Sequence, residues 1–154
     1  MAWTNSKIYV PFIEDALEDA NDVNLVGGTP QAALFNNSPT PDQTVASAAS
    51  AYGAGVWASG EVSEAGQWAA GGVALGGVTF APSSNVLTFD ANDTASGAAA
   101  DLADVYGVLV YDAAAASPVA DQGICFNYLG GANSVVNGTF TVVWNASGIF
   151  TLTL

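Results

Sequence analysis

The sequence predicts a mainly β fold, an antiparallel sandwich or jelly-roll-like domain with one short helix near its N-terminus. Three observations predict it. Strand-like runs, about seven to nine of them, recur between Gly, Asn, Asp and Pro turns along the chain. Val105-Tyr106-Gly107-Val108-Leu109-Val110-Tyr111 is apolar on both faces, as a central strand must be. From Thr139 onward, Phe140, Val142 and Trp144 alternate with Thr139, Thr141 and Val143, and after Asn145-Ala146-Ser147-Gly148 the alternation resumes with Phe150, Leu152 and Leu154 opposite Thr151 and Thr153. A four-residue link ending in Gly reads as a hairpin turn, so this segment is expected to be a β-hairpin whose apolar face, Leu154 included, is core.

Taken in order, residues 1–9 read as extended, within an N-terminal arm spanning 1–10 and carrying Trp3 and Tyr9 as aromatic anchors. Pro11 opens a helical pattern with Phe12, Ile13, Ala16, Leu17 and Ala20 on one stripe, and with acids early enough to suit the helix dipole. Its polar side, Glu14, Asp15, Glu18 and Asp19 with Asp22 beyond, reads as a solvated face in preference to a cation site. Asn24–Val26 and Gln31–Phe35 read as short strands around Gly27-Gly28-Thr29-Pro30. The Ser/Ala/Gly/Pro-rich stretch from about 36 to 70 reads as a long loop, of a length that is usually functional or mobile. Its aromatics Tyr52, Trp57 and Trp68 are expected to dock on the core or on another subunit. Val73–Phe80, a Pro82–Asn85 turn, Val86–Phe89, Leu102–Tyr111 and Ile124–Leu129 complete the strands.

A chain of 154 residues suits one domain, 1–154, burying roughly 70% of its unfolded surface. Fourteen acids face one base, Lys7, for a net charge of −13. Nucleic acid needs clustered Lys or Arg and is an unsuitable partner, as are anionic membrane surfaces; a basic protein surface or bound cations suit the charge. The hydrophobic content, 51%, exceeds what a monomer of this size usually needs and points to surface shared with partners. The lone cysteine, Cys125, sits among Ile124 and Phe126 and reads as a small buried hydrophobe. No apolar run approaches the length of a membrane span, and no signal pattern opens the chain.

The absence of histidine leaves no Ser-His-Asp or Cys-His site, and a typical zinc site lacks its imidazoles and second thiolate. No phosphate-binding glycine loop is present, because Gly27-Gly28 and Gly130-Gly131 read as turns. The Asp90-Ala91-Asn92-Asp93-Thr94 stretch offers oxygens at short intervals, with Asp90, Asn92 and Asp93 the candidate calcium ligands. It lacks the glycine and glutamate an EF-hand loop needs at its sixth and twelfth positions, so an Asp/Asn-rich turn accounts for it more simply. No cofactor and no enzymatic activity are expected.

The close, Gly138-Thr139-Phe140-Thr141-Val142-Val143-Trp144-Asn145-Ala146-Ser147-Gly148-Ile149-Phe150, resembles the ending "GTFTIxWxxxGIxxL" of a group of small tailed-bacteriophage virion proteins. The "YxVVYxD" strand of that group looks like Tyr106-Gly107-Val108-Leu109-Val110-Tyr111-Asp112, and its "KVALV" strand is similar to Gln31-Ala32-Ala33-Leu34-Phe35 without the basic residue. The resemblance implies a non-enzymatic virion protein made in the host cytoplasm. The expected role is capsid decoration, with the major capsid protein as partner and homo-oligomers, trimers at local threefold positions, as the assembly. Trp3, Tyr9, Tyr52, Trp57 and Trp68 are the interface candidates. A tail or fibre-base protein, or a carbohydrate-binding adhesion module using Tyr52, Trp57 and Trp68 as stacking faces, are the alternatives.

Overall fold

The computed structural model describes residues 3–18 and 22–154. Along the chain run β1 (Lys7–Ile8), α1 (Val10–Leu17), β2 (Pro30–Phe35), α2 (Ser47–Ser50), a 3-10 turn (Gly55–Ala58), β3 (Glu61–Val62), β4 (Val73–Ala74), β5 (Thr79–Ser83), β6 (Val86–Asp90), β7 (Thr94–Ala95), β8 (Ala100–Asp112), β9 (Gly123–Gly138), β10 (Thr141–Val142) and β11 (Phe150–Thr153). All pairings are antiparallel. The large sheet has the order β1-β9-β8-β2-β3, with β4 also on β2, and two smaller sheets are ordered β11-β6-β5 and β10-β7. The fold is mainly β and sandwich-like, as the alternation predicts.

β8 is the central strand. Val108, Leu109 and Val110 are fully buried, with β2 on one side and β9 on the other, which is why the run is apolar on both faces. Register sorts the large sheet into two faces. Ala33, Leu109 and Phe126 form one row, and Phe35, Gly107 and Tyr128 the next on the same side; Ala32, Val110 and Cys125 lie opposite. The aromatic face is covered by the N-terminal arm and the segment around the 3-10 turn. Trp57 packs 4.9 Å from Phe35 and Trp3 lies 5.6 Å from Trp57 (ring centroids). Gly107 makes this possible, since a Cβ there would stand 2.5 Å from Trp3 Cζ3. The opposite face meets the β11-β6-β5 sheet through Phe150, which shares a cleft with Cys125 and Asn127 and packs 5.1 Å from Phe89.

Several expectations are corrected. Thr141–Val142 and Phe150–Thr153 do not form a hairpin: the first pairs with Thr94–Ala95 and the second with Val86–Phe89, in separate sheets. The link between them does turn, with Gly148 at φ +101° donating to Asn145 O at 2.7 Å. Phe140, Val142, Trp144 and Phe150 are buried as the alternation requires, but Leu154 is 84% exposed. Asn24–Val26 is a turn, because Asn24 Oδ1 accepts from the backbone N–H of Val26 and Gly27 and curls the chain. The 73–80 strand is interrupted at Gly76-Gly77, and the 82–85 turn shrinks to Ser84-Asn85 as β5 runs through Pro82 on a sheet edge.

The 36–70 stretch is not a bare loop; it holds α2, the 3-10 turn, β3 and a Glu64–Trp68 bridge, so helix is not confined to the N-terminal region. The first turn of α1 carries no acid, since the helix starts at Val10. In the helix stripe Phe12 is buried, whereas Ala16 and Leu17 are exposed. Met1 of the arm, Asp19 and Ala20 lie outside the described residues. No described helix is long and apolar enough to cross a membrane.

Candidate interaction surface

Four of the five interface candidates are core residues. Trp3, Tyr9 and Trp68 have no exposed surface and Trp57 has 2%. Each indole N–H has an internal acceptor: Trp3 donates to Asn36 O at 2.8 Å, Trp57 to the Tyr9 hydroxyl at 2.6 Å, and Trp68 to Ala32 O at 3.0 Å. A buried tryptophan requires such a partner, and these leave no face for another molecule. Trp3, Tyr9 and Trp57 are brought together around Phe126, whereas Trp68 stands apart, edge-on to Phe140. Tyr52 is half-buried and stacked on Tyr111 at 4.8 Å, with its hydroxyl donating to Glu61 at 2.8 Å.

The three calcium candidates have structural roles. Asp93 Oδ1 accepts from Trp144 N at 3.0 Å and holds the chain just after β10 beside β7, while Asp90 Oδ1 accepts from Ala91 N and Asn92 N donates to Gly76 O. Among the described residues no group of three or more His, Cys, Asp or Glu is arranged to hold a metal ion. The acidic face of α1 divides. Asp15 Oδ2 accepts from Ser47 Oγ at 2.5 Å and from Gln122 Nε2 at 2.7 Å, anchoring the helix, while Glu14 and Glu18 stay exposed. Gln122 is itself fully buried, with Oε1 unpartnered.

Asp112 is the residue that sequence reasoning missed. It ends β8 with 1% of its surface exposed, and its carboxylate accepts from Thr29 N at 2.9 Å, Ala114 N at 3.0 Å and Asn24 N at 3.1 Å. Gly28 lies against it so closely that a Cβ would collide with both Asp112 Oδ2 and Asn24 O. The available signal was an acid directly after a fully apolar strand, where a buried carboxylate needs several donors.

The titratable groups have environments suited to structure. Burial pushes the Cys125 thiol up to about 12, away from the thiolate that nucleophilic chemistry needs. Burial, then the Glu61 carboxylate accepting its hydrogen bond, pushes Tyr52 up to about 12; burial raises Tyr9 and Tyr111 as well. Asp22, fully exposed, is held below the usual carboxylate range by the backbone N–H groups of Ser117 and Ala116.

The apolar surface left open lies elsewhere. A cleft of about 520 Å³ runs between α1, residues 22–26 and the β11-β6-β5 sheet, with Phe12, Leu17, Val26, Phe80, Leu87 and Leu152 among its walls. Leu17 is 83% and Val26 57% exposed at its lips. Compared with known proteins, the chain matches no family model, no curated protein and no solved structure.

Proposed function

We propose that this chain is a non-enzymatic structural protein of a tailed-bacteriophage virion, a decoration protein on the outer capsid surface that reinforces contacts between major capsid subunits. The observation that carries the reading is the resemblance of Tyr106–Asp112 and of the 138–150 close to such proteins. The first stretch is the central strand and ends on the Asp112 knot; the second contributes Phe140, Val142, Trp144 and Phe150 to the same core. The likeness therefore lies in the residues that build the fold, which supports kinship of scaffold ahead of kinship of contact surface. A surface of −13 with a single lysine suits a basic patch on a shell. The adhesion alternative loses two of its three stacking residues, because Trp57 and Trp68 are buried, and keeps only the half-buried Tyr52.

The test uses capsids assembled without the protein. Purified chain, examined for homo-oligomers by light scattering, is mixed with them over a salt series and sedimented. Co-sedimentation that weakens as salt rises is expected, with density outside the capsid lattice in a particle map. A strict monomer that never sediments with capsids overturns the reading, and density at the tail moves the protein to the tail or fibre-base role.

A further inference from the structure

Where β2 ends, two segments part and leave a polar cleft that the fold itself does not use. Phe35 and Gly107 are the last pair of the β2–β8 ladder; beyond them Asn36 N turns to Gly60 O at 2.8 Å, while β8 extends back to Ala100. The space between them, about 390 Å³, is lined by Asn36, Asn37, Ser38, Asp104 and Tyr106. It falls within the range of roughly 300–1,000 Å³ typical of small-molecule sites. Both walls are fixed. Asn36 O accepts from the Trp3 indole at 2.8 Å and Asn36 Oδ1 from Ser38 N at 2.8 Å, and across the cleft Asp104 N donates to Ser134 Oγ at 3.0 Å.

Asp104 stands in the left-handed region, φ +55°, inside the irregularity that separates Leu102 from Val105 in the β8–β9 pairing. Such bulges re-aim side chains, and strained residues collect at binding sites. The exposed carboxylate accepts no hydrogen bond among the described residues, in contrast to those of Asp93, Asp101 and Asp112. Tyr106 differs in the same way from Tyr9, Tyr52 and Tyr111, whose hydroxyls are engaged internally; its own has no partner among the described residues.

We infer that this cleft binds a neutral sugar ring, a hexopyranose. The Asp104 carboxylate accepts from two adjacent ring hydroxyls, the Asn36 side-chain amide donates to a further oxygen, and the half-buried Tyr106 lays its ring on the C–H face of the sugar and its hydroxyl beside the rim. Other ligand classes suit the lining less well. An anion meets Asp104 and no base, since Lys7, the only cation of the chain, is not in the wall. A metal ion finds a single carboxylate there, where calcium takes six or more oxygens. An apolar molecule finds one ring among four polar side chains. The inference does not rest on the virion reading.

The probes are the methyl glycosides of glucose, galactose and mannose, titrated into the full-length chain and followed by amide NMR shifts. At least one is expected to move the amides of Asn36, Asn37, Asp104 and Tyr106 saturably, whereas sorbitol, which offers hydroxyls without the ring, leaves them in place. Asp104→Asn keeps a residue tolerant of the left-handed conformation and removes the carboxylate, so binding should weaken at least about tenfold at unchanged melting temperature. Tyr106→Phe, which keeps the ring, should weaken binding by less than about tenfold, and Tyr106→Ala should abolish it. An oligosaccharide of the preferred sugar that displaces the glycoside at lower concentration supports the inference with a polysaccharide as the source; equal potency supports it with the free sugar.

No shifts from any of the glycosides, shifts confined to other residues, or undiminished binding by Asp104→Asn overturn the inference. So does calcium chloride that moves these amides where the glycosides do not, because the cleft is then a cation site.

Discussion

The two faces of the large sheet are covered by opposite means. Over Phe35, Gly107 and Phe126 the arm and the 3-10 segment lay Trp3, Tyr9 and Trp57 edge to face, with the polar atoms of both indoles satisfied inside. Over Cys125 and Asn127 lies the small sheet with Phe89 and Phe150, and where that sheet meets α1 the closure is incomplete, with Leu17 and Val26 in water. The large aromatics, offered by the sequence as candidates for the core or for another subunit, face inward except for the half-buried Tyr52; the exposed apolar surface comes from Leu17, which the helix stripe would assign to the core, and from Val26 in the turn beyond it. Side-chain size therefore does not separate inside from outside here, whereas the fate of the polar handle does.

The largest effect should come from emptying the closed side. Trp57→Ala removes a ring that touches Phe35, Trp3 and Phe126 and leaves the Tyr9 hydroxyl without its donor. The expected loss is about 3–5 kcal/mol, a large part of a domain's stability, read from the denaturant midpoint. An unchanged midpoint would mean that the segment is a detachable flap and that the contrast between the faces is false. Next comes Asp112→Ala, which strips three backbone donors of their shared acceptor at a buried site. About 2–4 kcal/mol is expected in the same measurement, with Asp112→Asn retaining part of the stability through its remaining carbonyl oxygen.

How much of this could be read in the sequence follows from what alternation encodes. It tells which side chains share a face, so Phe140, Val142, Trp144 and Phe150 were legible as core and Val105–Tyr111 as central. It says nothing about partners distant in sequence, so the hairpin expectation failed when β11 paired with Val86–Phe89. A turn fixes where the chain reverses but not which strand the next segment pairs with, and the turn at Asn145–Gly148 passes the chain from the β10-β7 sheet to the β11-β6-β5 sheet. α2 and the 3-10 turn, four residues each, are too short for a helical period to show, which is why 36–70 read as loop. The cleft was invisible because Leu17 has the spacing of a core residue; only the position of the small sheet leaves it uncovered. Asp112 was visible as a letter in a strand motif and gained a role only when Asn24 and Thr29 came within reach.

A smaller effect concerns Asp22, on the wall of the cleft. Its carboxylate is held below the usual range by the N–H groups of Ser117 and Ala116, so its folded pKa is depressed relative to the unfolded chain. The sign follows from linkage. The contribution is fully present above the unfolded value of about 3.9 and is lost as pH falls through the lower folded value. Asp22→Asn should therefore lower the melting temperature slightly at neutral pH, and the difference from the unchanged chain should shrink as the pH drops below the ordinary carboxylate range. The group is fully exposed, so solvent keeps the effect small. A difference that grows on acidification would contradict the sign.

The smallest effect is the most informative about the open side. Leu17 is 83% exposed on the last turn of α1, so Leu17→Gln removes little buried surface, and glutamine forms helix nearly as readily as leucine. Stability should change by no more than about 0.5 kcal/mol in the denaturant midpoint, the range of ordinary surface substitutions. The contrast with Trp57→Ala then stands at its sharpest: one apolar residue whose removal undoes the fold, another that the fold does not require. A loss of about 2 kcal/mol or more would show that Leu17 packs inside the isolated chain. In that case the cleft would be closed in solution, and its apolar lips would be core.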